Sequence, residues 1–168
     1  LHVRFSEPAF AQFRDRYKFV TIMRDPVARF LSHYNWSFNK PQAHGHIDET
    51  FDAFLETDRA RRIGATFVEY YCGLPKDADI TSDAAVAKAI ENLGHFAVIG
   101  DLADLGQFER DIRRELGVRV RIQHENKGPQ DRKVVTAKTL PDATMDKVSQ
   151  GGCREVRGHP PSYRKNPG

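Results

Sequence analysis

The chain is expected to be an α/β protein with a parallel sheet, and three observations carry that expectation. Two short apolar runs, Lys18 to Met23 (KFVTIM) and His95 to Gly100 (HFAVIG), have the length and composition of buried strands. Each is followed by a segment whose apolar residues recur at helical spacing, 26–38 after the first and 105–116 after the second. Strands that alternate with helices argue for parallel pairing rather than a hairpin or sandwich.

Taken in order, Ser6-Glu7-Pro8 is a helix-start signature, with Phe10 and Phe13 as the expected buried side. After the first strand, Asp25 can cap a helix and Pro26 suits its first turn, where a missing N–H costs nothing. Val27, Phe30, Leu31, Tyr34 and Phe38 form one stripe on that helix and are expected to face the sheet. Residues 39–47 (NKPQAHGHI) are expected to be a loop, Asp48 to Glu56 a helix burying Phe51, Phe54 and Leu55, and Ala65 to Tyr71 another helix. Asp83 is expected to cap a helix with Val86, Ala87, Ile90 and Leu93 inward, ended by Gly94. The helix after the second strand turns Leu105, Phe108, Ile112 and Leu116 to the core and stops at Gly117; Val118 to Ile122 suits a short third strand.

Bulk properties narrow the class. At 168 residues the chain has the size of one domain, and it contains no apolar run long enough to span a bilayer. The net charge of +3 is that of residues 149–168, where Arg154, Arg157, Arg164 and Lys165 stand against Glu155; the remainder is balanced. That distribution is no argument for a nucleic-acid surface. Cys72 and Cys153 stand alone, which disfavours a disulfide framework and a structural zinc.

Arg24-Asp25-Pro26 closes the first strand, and a serine follows at Ser32. Ligands of open α/β sheets bind at the carboxyl ends of strands, and a guanidinium with a hydroxyl suits a phosphate. An ordinary Arg24–Asp25 ion pair beside a capped helix is the plainer alternative. The run T-I-M-R-D-P-V-A-R-F-L-S-H-Y resembles the second nucleotide motif of the sulfotransferases, closest to the carbohydrate group that includes heparan sulfate 2-O-sulfotransferase. The resemblance is specific over 18–36 and loose to about residue 148. It implies a P-loop NTPase-like three-layer α/β fold with a parallel sheet, here truncated at its N-terminus. It also implies that Arg24 and Ser32 hold the 3′-phosphate of 3′-phosphoadenosine 5′-phosphosulfate, with Arg29 near enough to reinforce them. Asn126-Lys127-Gly128 is similar to a segment near the nucleotide in relatives, which makes Lys127 a further candidate. Leu1-His2-Val3-Arg4-Phe5 matches the end of a stretch whose histidine is the proposed base, so His2 is the catalytic candidate.

The resemblance implies a carbohydrate hydroxyl as acceptor, with no metal and no nucleic-acid partner. Membrane association would come only through a segment absent from this chain. In relatives a Lys-bearing Gly/Ser/Thr-rich loop precedes the Arg-Asp-Pro strand, but the first glycine here is Gly45. With no initiator methionine, residues 1–148 are expected to be a partial domain, inactive as it stands. Residues 149–168, rich in Gly, Pro and Arg, are expected to be a disordered tail or an aberrant gene end, and both readings stay open. A P-loop kinase-like fragment, which would need a Walker A loop upstream, and a non-catalytic α/β binding module are the alternatives. His33 is expected to be a packing or surface histidine, and His44 with His46 a weak metal pair better suited to acceptor contact.

Overall fold

The computed structural model describes residues 4–41, 44–123 and 133–151. His2, Lys127 and the tail beyond Gly151 lie outside them. The fold is α/β in the broad sense: among the described residues, helices surround one parallel strand pair.

Helix α1 (Glu7–Phe13) starts where Ser6 Oγ accepts a hydrogen bond from the Ala9 N–H. Phe10 stacks 4.5 Å from the His95 ring and 5.2 Å from Phe19. Phe13 departs from expectation: it ends this short helix, is 39% exposed, and meets Tyr17 edge-on.

Strand β1 (Val20–Met23) pairs in parallel with β2 (Val98–Asp101), Val20 opposite Val98 and Met23 opposite Asp101. β1 is shorter than the expected 18–23 run and only half-buried, because a strand with one neighbour keeps an open edge. β2 begins three residues later than expected and extends to Asp101. Helix α7 (Leu105–Leu116) covers one face, where Phe108 and Ile112 meet Val98 and Ile22. Gly117, at φ 71°, closes α7 in the left-handed region that glycine enters without penalty. The other face meets α5 (Thr66–Tyr71), where Tyr71 Oη and Thr21 Oγ1 are 2.7 Å apart.

Residues 118–122 form no strand. The Ile122 N–H is taken by the Glu109 carboxylate of α7, and the Ile122 side chain leans on the Phe108–Ile112 cluster. The segment satisfies its polar group against a helix instead of a ladder.

Helix α2 (Pro26–Phe38) forms where the sequence places it, with Pro26 in its first turn and Asp25 Oδ1 accepting from the Ala28 N–H at 2.8 Å. Its apolar stripe does not face the sheet, which corrects the expectation above. Val27, Phe30, Leu31 and Tyr34 pack instead on Ile47, on α3 (Phe51–Leu55) and α4 (Asp58–Gly64), and on Val135 and Val148. The sheet faces are occupied by α7 and α5, so α2 builds a separate helical core. Thr50 receives the Ala53 N–H, so α3 starts later than the expected Asp48. Thr57 receives the Ala60 N–H and starts α4 in a stretch for which no helix is expected.

Helix α6 (Asp83–Leu93) is capped by Ser82, with Asp83 already in its first turn. Its buried face is Ala85, Ala89, Asn92 and Leu93, while Ala87 is exposed. Helix α8 (Asp142–Gly151) lays Val148 into the α2 core and runs past residue 148. Asn35 ties the 134–135 segment to α2. Its amide donates to Val135 O at 2.7 Å and to Leu31 O at 2.8 Å, and its oxygen accepts from the Val134 and Val135 N–H groups.

Candidate functional site

The carboxyl edge of the strand pair gathers the first candidates. The Leu102 N–H donates to Met23 O at 2.7 Å, so Arg24 leaves β1 beside the Asp101–Leu102 end of β2. Arg24 is exposed, and no hydrogen bond or ion pair holds it among the described residues. The ordinary Arg24–Asp25 ion pair is absent, because the Asp25 carboxylate is spent on the helix cap. A guanidinium held in no ion pair among the described residues can meet an anion without first breaking one.

Ser32 is exposed on α2. It lies seven residues after Asp25, two turns on and about 10 Å along the axis, so both face the same side. Arg24 and Ser32 can share one phosphate only when the arginine lies back along the helix. Arg29, half-buried, donates Nη1 to Ile63 O at 3.1 Å, and its guanidinium sits 5.5 Å from the Phe67 ring centre. It is directed to the α4–α5 junction, so it serves a phosphate near Ser32 by field more than by contact.

His33 follows Ser32 and is half-buried. Its pKa is pushed down to about 4, first by burial and then by the cations Arg29, Arg59 and Lys40. It is a neutral packing histidine at neutral pH. Arg59 of α4 donates to His46 O at 2.7 Å and Gly45 O at 2.6 Å, pinning the loop beside α2. In that loop His46 Nδ1 and Glu49 Oε2 are buried without a partner among the described residues. Such atoms cost about 1–3 kcal/mol each when left so. Neither His44 nor His46 joins a group of three potential metal ligands among the described residues.

Sequence reasoning missed four residues. Asp101 brings a carboxylate to the same strand edge as Arg24, its Oδ1 accepting from the Ala103 N–H at 2.9 Å. The apolar run ending in Gly-Asp was the available signal. Trp36 and Lys40 belong with Arg29 and His33 to a 4-3-4 recurrence that was legible as a helical stripe, polar and opposite the apolar one. Arg59 had no local signal, since tertiary packing brings α4 there.

No family model, curated protein or solved structure matches the chain.

Proposed function

We propose that these residues are part of a sulfotransferase that moves a sulfuryl group from 3′-phosphoadenosine 5′-phosphosulfate to a carbohydrate hydroxyl. The observation that carries this reading is the strand end at Arg24, exposed and unpaired among the described residues, followed by an Asp25-capped helix bearing an exposed Ser32. A charged fork and a hydroxyl in that order suit the 3′-phosphate. In the reaction an acceptor oxygen bonds to sulfur as the bridging S–O bond breaks, releasing 3′-phosphoadenosine 5′-phosphate. The acceptor proton passes to a base, for which His2 is the candidate, since a histidine titrates near neutrality.

The reading also requires a lysine-bearing loop on the 5′-phosphosulfate, which would stabilise the leaving oxygen, and these 168 residues hold no glycine-rich loop before β1. The chain alone should bind 3′-phosphoadenosine 5′-phosphate weakly and transfer nothing.

Calorimetry tests this directly. Arg24→Ala should weaken nucleotide binding by roughly 1.5–3 kcal/mol and Ser32→Ala by roughly 0.5–1.5 kcal/mol, since a charge-assisted contact is about twice a neutral one. Equal losses, or none for Arg24, would remove the assignment.

A further inference from the structure

The run from Val118 to Ile122 (VRVRI) has the composition of a strand, and among the described residues it pairs with none. It holds no helix, turn or bend. Both of its ends are fixed. Gly117 closes α7 with its N–H on Arg113 O, while Ile122 is held by the Glu109 carboxylate and the Phe108–Ile112 cluster. Between these ties the segment lies open. Val118 is 50% exposed and Val120 37%. Arg119 and Arg121 are exposed, and neither makes a hydrogen bond or ion pair among the described residues.

We propose that residues 118–122 are a docking strand for an acidic, extended peptide of another protein, one that alternates carboxylate and apolar side chains and adds to the segment as a β-strand.

The alternation of an extended chain defines what such a peptide meets. Alternate residues send their N–H and C=O groups to the same edge and their side chains to the same face. The Ile122 N–H is turned to α7, so the backbone groups of Arg119 and Arg121 form the opposite edge, which has no ladder. Val118 and Val120 share the face of Ile122, and the two guanidiniums share the other. An incoming strand therefore finds backbone partners, an apolar strip and a pair of cations, the elements of strand addition.

The sign of the partner follows from the local charges. Residues 105–122 carry five arginines against three acids. The acids are engaged: Asp111 and Glu115 with Arg114, and Glu109 with the Ile122 N–H. Arg119 and Arg121 remain for a partner. A segment tied at both ends also loses little freedom on binding. A second copy of this chain fits poorly, because antiparallel pairing centred on Val120 sets Arg119 against Arg121, and like charges directly opposite are destabilising. Single-stranded nucleic acid fits poorly too, since residues 117–123 offer no aromatic ring for a base to stack on.

The test is fluorescence anisotropy at low salt with the 168-residue chain and labelled probes. The probes are a nine-residue peptide alternating glutamate and valine, its lysine–valine counterpart, the glutamate peptide N-methylated at every residue, and a single-stranded oligonucleotide. The expected result is saturable binding of the unmethylated glutamate peptide alone. Its affinity should fall about tenfold in the Arg119→Gln/Arg121→Gln double variant, the sum of two exposed ion pairs. Arg119→Glu/Arg121→Glu should transfer the preference to the lysine peptide, a gain that a misfolded variant could not show. Amide exchange at Arg119 and Arg121, followed by NMR, should slow in the complex.

The proposal is overturned by no saturable binding, by equal binding of the lysine peptide, or by an unchanged affinity in the glutamine double variant. Equal binding of the N-methylated peptide overturns strand addition, because only charge would then be recognised. Oligonucleotide binding as tight as the glutamate peptide makes this a nucleic-acid surface instead. A dimer in sedimentation that Arg121→Pro abolishes assigns the edge to a second copy.

Discussion

Gly100 offers a sharp test of how the strand pair is held beneath α7. It is the third residue of β2, opposite Ile22, and its missing side chain is what lets Phe108 settle on the sheet. A Cβ at this position would stand 2.3 Å from Phe108 Cδ2, 2.4 Å from Cγ and 2.8 Å from Cβ. Carbon atoms in contact sit about 3.5–4.0 Å apart, so something must move by roughly 1 Å. Rotation of the ring cannot relieve a clash with the root of the side chain, and Phe108 is buried on all sides. α7 itself must lift. Overpacking of this kind costs about 1–3 kcal/mol, against which Gly→Ala recovers about 0.4–1 kcal/mol by restricting the unfolded chain.

Gly100→Ala should therefore destabilise the protein by about 1–2 kcal/mol, read as a lower urea midpoint at unchanged slope and a melting temperature lower by about 3–6 °C. Phe108→Ala alone should cost about 3–5 kcal/mol through its cavity. In the double variant the new methyl occupies part of that cavity, so the combined loss should fall short of the sum by about 1 kcal/mol or more. A Gly100→Ala protein as stable as the wild type, or strictly additive losses, would refute the close approach of α7 to β2.

Two further outcomes follow from buried polar groups. Asn35→Ala should cost about 3 kcal/mol in urea unfolding, because it orphans both the N–H and the carbonyl of buried Val135 at about 1–3 kcal/mol each; a loss below about 1 kcal/mol would mean that other groups hold residues 134–135. His33, pushed down to about 4 in the folded chain, binds fewer protons there than when unfolded. Its contribution is thus fully present above the ordinary histidine pKa of about 6.5 and is lost as pH falls toward 4. The urea midpoint should drop between pH 7.5 and 5, and the drop should be smaller in His33→Gln; an identical slope in that variant would place the titrating group elsewhere.

Local chemistry made much of this protein legible. The Asp25 cap, Pro26 in the first turn and the stripe from Val27 to Phe38 determine α2 almost to the residue, because capping and periodicity act within a few positions of the chain. The same holds for α7, whose left-handed Gly117 marks its end, and for the placing of Arg24 at the close of a parallel strand. Partners were decided otherwise. Periodicity says that α2 has an apolar face but not what covers it, and competition among helices for two strands sent that face to α3, α4 and α8. The run at Val118 to Ile122 has strand composition, yet a strand exists only where a neighbour offers a ladder, and the Glu109 carboxylate took its N–H instead. The candidate site divides along the same line. Arg24 and Ser32 stand out because their spacing along the chain carries the signal. The grouping of Arg59 with His33 and Lys40 arises from packing between segments distant in sequence, a relation that no local pattern encodes.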